Sequence, residues 1–195
     1  MFYVVGLGNP GEEYERTRHN VGRMALDSIF ARGEFSDWKA DKTLRGEIAK
    51  GYLGDEKVWL IFPTTFMNKS GTSVKSLITS EKKAEKLIVL YDDVDLPLGT
   101  IKLAFNRGSG GHKGIESIAR TIKTKAFVRI RIGICPTTPS GTIKKPQGEK
   151  AVLDFLLGEL GKKEQLILPE VFLQCAQAVE TVVREGKEAA MNRCN

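Results

Sequence analysis

The sequence predicts an α/β fold, a single-domain sandwich whose twisted, mostly parallel central sheet is flanked by helices. Three observations point there. Two strand-length apolar runs, VVGLG (Val4–Gly8) and KLIVLYDD (Lys86–Asp93), have no polar alternation, as strands buried on both faces require. Helical patterns recur between the strand patterns, as crossover connections demand. The 195 residues, 41% of them hydrophobic, can form one sizeable core.

In chain order, VVGLG is the first strand. VGRMALDSIFAR (Val21–Arg32) follows as an amphipathic helix, with Val21, Met24, Ala25, Ile29 and Phe30 near one face and Gly33 after its end. FSDWKADK reads as polar connection. LRGEIAKGYL and EKVWLIFP form a strand pair, the second stopped by Pro63. SGTSVKSLITS (Ser70–Ser80) reads as a helix, KLIVLYDD as a strand ending in acids, and GTIKLAF (Gly99–Phe105) as a partly alternating strand. GGHKGIESIARTIKT is a glycine turn running into a helix. FVRIRIGI alternates apolar and basic residues, a half-buried strand with Arg129 and Arg131 on its polar face. Residues 135–149 contain three prolines and two glycines and read as a mobile loop. KAVLDFLLG is a short helix, and a longer one spans about 169–185, with Pro169 in its first turn and Gly186 after its end.

Composition excludes several classes. No apolar run approaches the ~20 residues of a membrane span, and MFYVVGLG lacks a basic leader. Three scattered cysteines give no disulfide framework or zinc knuckle and fit a reducing cytoplasm. His19 and His112 are the only histidines, which excludes a His-rich metal site. The net charge of +6 is uneven: residues 101–150 hold eleven Lys or Arg against two Glu. That stretch implies a polyanionic partner such as nucleic acid, or else a solvated basic surface.

Gly6, Gly8 and Gly11 spell the G-x-G-x-x-G of a dinucleotide-binding turn. The neighbours argue otherwise. Pro10 removes a backbone donor, and Glu12 and Glu13 would repel a pyrophosphate at a helix start. The expected acidic residue at the end of a second strand, about 20 residues on, is replaced by a helix. A sharp turn off a buried strand remains, with Asn9 at its tip.

Open α/β sheets place their sites at the carboxyl ends of strands. Those ends carry Asn9 and His19, then Asn68, then Asp92, Asp93 and Asp95. His19 is one of two candidate bases, or else a helix-cap or surface histidine; Asp92 can orient its imidazole. The three aspartates can alternatively bind a divalent cation. Asn68 either caps the following helix or holds a carbonyl or water. Phe66 and Met67 are core or a soft wall for a base or side chain. Lys113 offers a cation in a glycine turn. With no G-x-S-x-G elbow and no Walker A string, a His–Asp pair activating water is the better candidate than a covalent nucleophile.

Five stretches in order, VVGLGNPGEEYERTRHNVG, PTTFMNKSG, YDDVDLPLG, RGSGGHKGIESI and FVRIRIGI, resemble the blocks of the bacterial-type peptidyl-tRNA hydrolase family. The resemblance covers about residues 3–157. It implies a monomeric cytoplasmic esterase that cleaves the ester between a peptide and the 3′ end of tRNA, without metal, cofactor, membrane or obligate protein partner. It implies His19 as general base on water, Asp92 stabilising its productive state, and Asn9 sensing the blocked α-amine. Tyr14, Phe66 and Asn68 would contact the tRNA end or the peptide backbone. Residues 136 to about 156 would act as a lid on a domain spanning 1–195. Two positions depart from the family pattern: Lys113 where Asn is frequent, and Ala104 where a basic residue is frequent. An ammonium only donates, so Lys113 favours phosphate over an acceptor role. The phosphate contacts are then expected from Lys102, Arg107, Lys113, Arg129 and Arg131. A non-catalytic RNA-binding protein on the same fold is the alternative.

Overall fold

The computed structural model describes residues 1–195. In chain order the elements are β1 (Phe2–Gly6), α1 (Val21–Phe30), β2 (Glu34–Phe35), β3 (Lys39–Asp41), β4 (Gly46–Leu53), β5 (Glu56–Pro63), α2 (Glu81–Ala84), β6 (Leu87–Pro97), β7 (Ile101–Phe105), α3 (Lys113–Ile122), β8 (Val128–Cys135), α4 (Glu149–Leu157), α5 (Lys162–Glu185) and α6 (Lys187–Cys194). One sheet takes the order β2-β4-β5-β1-β6-β8-β7, with β3 added to β4. The central strands β5, β1, β6 and β8 are parallel to one another. The outer pairs, β4 with β5 and β7 with β8, are antiparallel. The apolar runs therefore occupy the middle of the sheet, where both faces are covered.

Each face has its own core. Beneath α1, α5 and α6 lies a cluster of 29 buried residues that includes Val4, Leu60, Ile88, Leu90, Ile130 and Val179. Beneath α3 lies one of 16, including Val5, Leu7, Ile61, Val89, Ile115 and Phe127. Alternation on β8 sends Val128, Ile130, Ile132 and Ile134 to the first core and Arg129 and Arg131 to the α3 side.

The glycine pattern has a packing cause. A Cβ at Gly22 would overlap the Leu90 carbonyl, and one at Gly6 would overlap the Gly22 carbonyl. Helix α1 thus lies directly on β1 and β6.

Four sequence expectations are corrected. Ser70–Ser80 is not an α-helix. A 3-10 turn covers Met67–Ser73, where Ser70 Oγ and Thr72 Oγ1 donate to the carbonyls of Met67 and Lys69; short hydroxyls compete there with the helical ladder. FSDWKADK is not featureless: it supplies β2 and β3 as partners of β4. Helix α5 starts at Lys162, so Pro169 lies inside it rather than in its first turn. Its earlier start is secured by Glu164, whose carboxylate accepts from Gly161 N at 2.5 Å. By length and composition α5 is also apolar enough to cross a membrane, with a window of mean hydropathy 1.4. Its apolar residues form a stripe, Leu168, Val171, Cys175, Val179, Val182, packed into the first core. Helix α6, Lys187–Cys194, lies beyond the last helix that the sequence predicts.

Candidate active site

The carboxyl ends of β1 and β6, the turn after β5 and the start of α3 meet in one cleft. His19 lies in a 3-10 turn, Arg18–Asn20, between β1 and α1. Asp92 lies on β6, where the strand emerges from the core. The two meet: His19 Nδ1 is 2.8 Å from Asp92 Oδ1. Their side chains are 9% and 2% exposed, so water screens the pair poorly. Since Asp92 accepts, Nδ1 carries the proton; Nε2 of His19 forms no hydrogen bond within the protein and keeps its lone pair.

His112 completes the cluster, a role the sequence reading does not assign it. As the N-cap of α3, its Nδ1 accepts from Gly114 N at 3.2 Å and Ile115 N at 3.3 Å. Nδ1 therefore bears no proton, and Nε2 donates to Asp92 Oδ1 at 3.1 Å. Both histidines and Asp92 bring potential metal-ligand atoms within 4.8 Å of one another, the spacing that two direct hydrogen bonds to one oxygen impose. The signal in the sequence is a histidine between a glycine pair and a helix start.

Burial opposes the charge of both partners. For His19, burial lowers the pKa, but the Asp92 charge and hydrogen bond outweigh it and the net direction is upward. For Asp92, burial raises the pKa, and the two imidazoles that face it and donate to it overcome that effect, holding the carboxyl well below the usual range.

Asn9 is locked by its neighbours. Its backbone N–H donates to Asn20 Oδ1 at 2.8 Å, and Asn20 Nδ2 donates back to its carbonyl at 3.0 Å. Its Oδ1 accepts from Met67 N at 2.9 Å. A backbone donor cannot reverse its role, so Asn9 is left with only Nδ2 to offer. Met67 is buried; Phe66 beside it is 57% exposed and meets Tyr14 edge-on, with centroids 6.3 Å apart. Asn68 is exposed within the 3-10 turn and caps nothing; the residue before the turn is Phe66.

The three aspartates do not form a cation site. Asp92 serves the histidines, Asp93 accepts from Arg131 Nε at 2.6 Å, and Asp95 pairs with Lys145 at 2.5 Å. The basic candidates also divide. Lys102 and Arg107 are exposed. Lys113 is exposed at the start of α3, 3.8 Å from Glu116. Arg131 is neutralised by Asp93. Arg129 corrects the expected polar face: it is 1% exposed, because the loop before α3, whose Gly108 carbonyl accepts from its Nη1, covers that face.

Helix α4 closes one side of the cleft, with Val152 and Leu156 lining it beside Asp92 and His112. Arg18, next to His19, fixes this helix: Nη1 donates to Phe155 O at 3.3 Å, Nη2 to Glu164 at 2.7 Å, and the guanidinium lies 4.5 Å from the Phe155 ring centroid.

Known proteins of one family share this chain's sequence and fold. The family model described as peptidyl-tRNA hydrolase matches residues 3–195. The chain is 41% identical to the peptidyl-tRNA hydrolase of Alkaliphilus oremlandii, over 100% of both chains. It is 39% identical to that of Chloroflexus aggregans, over 100% of this chain and 99% of that one. The crystal structure of peptidyl-tRNA hydrolase from Acinetobacter baumannii superposes with a TM-score of 0.87 at 31% identity, covering 100% of this chain and 94% of that one.

Proposed function

From the premise that the chain belongs to the peptidyl-tRNA hydrolase family, and is an ester hydrolase, we propose that it cleaves the ester between an N-blocked aminoacyl or peptidyl group and the 3′-terminal ribose of tRNA, with His19 as general base. The single observation that carries this is the His19–Asp92 hydrogen bond, which leaves Nε2 as the free basic atom. Nε2 takes a proton from water as the oxygen attacks the ester carbonyl. The imidazolium formed is stabilised by buried Asp92, and it then protonates the departing ribose oxygen. Proton and leaving group are thus handled by one ring, with no covalent enzyme intermediate.

Asn9 gives the reading its specificity. The resemblance implies that this residue senses a blocked α-amine, and its locked amide offers only a donor. A donor meets the carbonyl that an N-acyl substituent carries. A free α-ammonium is also a donor only and finds no acceptor there. Selection therefore rests on an unmatched donor as well as on a satisfied one. Tyr14 and exposed Phe66 offer ring faces to the terminal base, and exposed Asn68 and Lys113 offer donors to its backbone.

The test compares amino acid release from N-acetylated and free aminoacyl-tRNA, for wild type and His19→Ala. Wild type releases from the blocked substrate alone. The variant loses about 10²–10⁴-fold of that rate. Near-full turnover by His19→Ala sinks the mechanism, and tRNA binding with no release by wild type favours the non-catalytic alternative.

A further inference from the structure

Arg129 is a buried cation with a single hydrogen bond. Its Nη1 donates to the Gly108 carbonyl at 2.6 Å, while Nε and Nη2 have no partner. Its neighbours across the sheet, Val89 and Ala104, offer no side-chain acceptor. Asp93, which borders the same cavity, accepts from Arg131 instead. The Phe127 ring supports the guanidinium at 4.6 Å. A desolvated charge so poorly paired costs stability, and an apolar side chain of similar volume commonly costs less. The use of Arg129 is therefore to be sought in its one bond.

That bond holds a loop that has no other hydrogen bond to the sheet. Residues 107–111 read RGSGG. A Cβ added at Gly108, Gly110 or Gly111 would stand in open space, so no close packing fixes the loop at its glycines. Its other hydrogen bonds stay within the loop and α3. Ser109 Oγ donates to Glu116 at 3.2 Å, Gly111 N donates to Ser109 Oγ at 3.2 Å, and His112 N donates to Ser109 O at 3.2 Å. The loop runs directly into His112, whose ring meets that of Tyr91 edge-on, with centroids 4.9 Å apart. Tyr91 precedes Asp92 on β6 and lines the cavity of about 210 Å³ that Gly108 and Arg129 share. Arg129, the loop, Tyr91, His112 and Asp92 thus form one contiguous chain of contacts.

We infer that Arg129 is a positioning residue for hydrolysis: from inside the sheet it pins the glycine loop, and the loop and Tyr91 together hold His112 on Asp92. It touches neither the substrate nor the reacting atoms and acts through His112. A guanidinium suits this duty. It stays charged when buried, and with no other acceptor its charge falls on one carbonyl, which makes a short, directional bond. A neutral donor would hold a glycine-rich loop less firmly, and an error of about 1 Å far from the reacting atoms can cost ~10²-fold in rate. The inference rests on the His19–Asp92 mechanism proposed above.

Arg129→Met keeps an apolar stem under the loop and removes the charge. Its turnover number on N-acetylaminoacyl-tRNA is expected to fall about tenfold, with the affinity for uncharged tRNA unchanged. The acid limb of its rate profile moves to higher pH, because a slackened His112 leaves more of the Asp92 charge to His19. Combined with His112→Asn, it lowers the turnover number no further than His112→Asn alone, since the two changes break one linkage. Amide exchange at Gly114 and Ile115 rises several-fold while β6 stays protected. That readout needs no turnover, so an inactive wild type would defeat the hydrolytic reading and leave it intact; unchanged exchange overturns the inference. Weaker tRNA binding with an intact turnover number makes Arg129 a phosphate contact and overturns it as well, and so do losses that multiply in the double variant. Where Arg129→Met does not fold, insertion of two glycines between Gly108 and Ser109 decides. It leaves Arg129 and its bond in place and slackens the link to His112 in a largely exposed segment. Its turnover number is also expected to fall about tenfold, and a wild-type value overturns the inference.

Discussion

His112 and His19 share a single acceptor, Oδ1 of Asp92, at 3.1 and 2.8 Å. The two donors are not equivalent. His112 is fixed by the first turn of α3, whose Gly114 and Ile115 amides occupy its other nitrogen. His19 is fixed only by Asp92 and its own turn. His112 therefore acts as a positioning residue: it sets the carboxylate, and the carboxylate sets the base.

His112→Asn separates the two duties. Asparagine is a good N-cap and can accept from the same amides, but it is too short to reach Asp92 as well. The fold is retained and the turnover number falls about tenfold. With one hydrogen bond gone, the Asp92 charge acts more fully on His19, the cationic partner it faces, and the acid limb of the rate profile moves to higher pH. His112→Ala adds a cap loss of about 1 kcal/mol in stability. An unmoved acid limb in His112→Asn would confine His112 to a structural role.

Asp92→Asn moves the same limb the other way. A general base works only when unprotonated. In the wild type the upward-shifted His19 loses activity as pH falls through a value above the ordinary ~6.5. Removing the carboxylate leaves burial, which lowers the pKa, as the dominant influence. The limb then falls below ~6.5, while the maximal rate drops because the ring is no longer oriented. A variant whose limb stays with wild type shows that Asp92 does not set His19's protonation.

Some of this is legible in the sequence and some is not, for identifiable reasons. β1 and β6 announce themselves because strands buried on both faces need uninterrupted apolar residues, and β8 because its apolar residues alternate. His19 and Asp92 stand out as polar groups at the ends of such strands. β2 and β3 escape notice because strands of two and three residues carry no period. Arg129 is misplaced because alternation along a strand says which residues share a face and not whether that face is solvated: α3 and its loop cover it. The cap made by His112 is local, but its bond to Asp92 and that of Asn20 to Asn9 join residues 20 and 11 apart in sequence, a convergence that no local spacing encodes.

Arg18→Ala tests how α4 is held. Its guanidinium joins the last turn of α4 to Glu164 of α5, and both side chains of that ion pair are mostly buried, at 15% and 17% exposure. Without it, α4 keeps the short backbone pairing of Arg16–Arg18 with Gly158–Leu160 and a few apolar contacts. Amide exchange over residues 149–157 is expected to rise several-fold while β6 and β8 stay protected. KM should rise more than the turnover number falls, since His19 and Asp92 are untouched. Unchanged exchange in α4 would show that Arg18 does not anchor it.

Asn9→Asp probes selectivity with a nearly isosteric change. One carboxylate oxygen still accepts from Met67 N, so the turn is kept. The atom facing the cleft becomes an acceptor in place of a donor. It can now receive a hydrogen bond from a free α-ammonium and can no longer donate to an acyl carbonyl. The ratio of turnover on N-acetylated to free aminoacyl-tRNA is expected to fall at least tenfold, by a loss on the first and a gain on the second; a site built around a hydrogen bond commonly discriminates by more than that. Asn9→Ala, which only deletes the donor, loses the first without gaining the second. If both variants keep the wild-type ratio, the amide at position 9 does not read the α-amine, and selection must lie at Asn68 or Lys113.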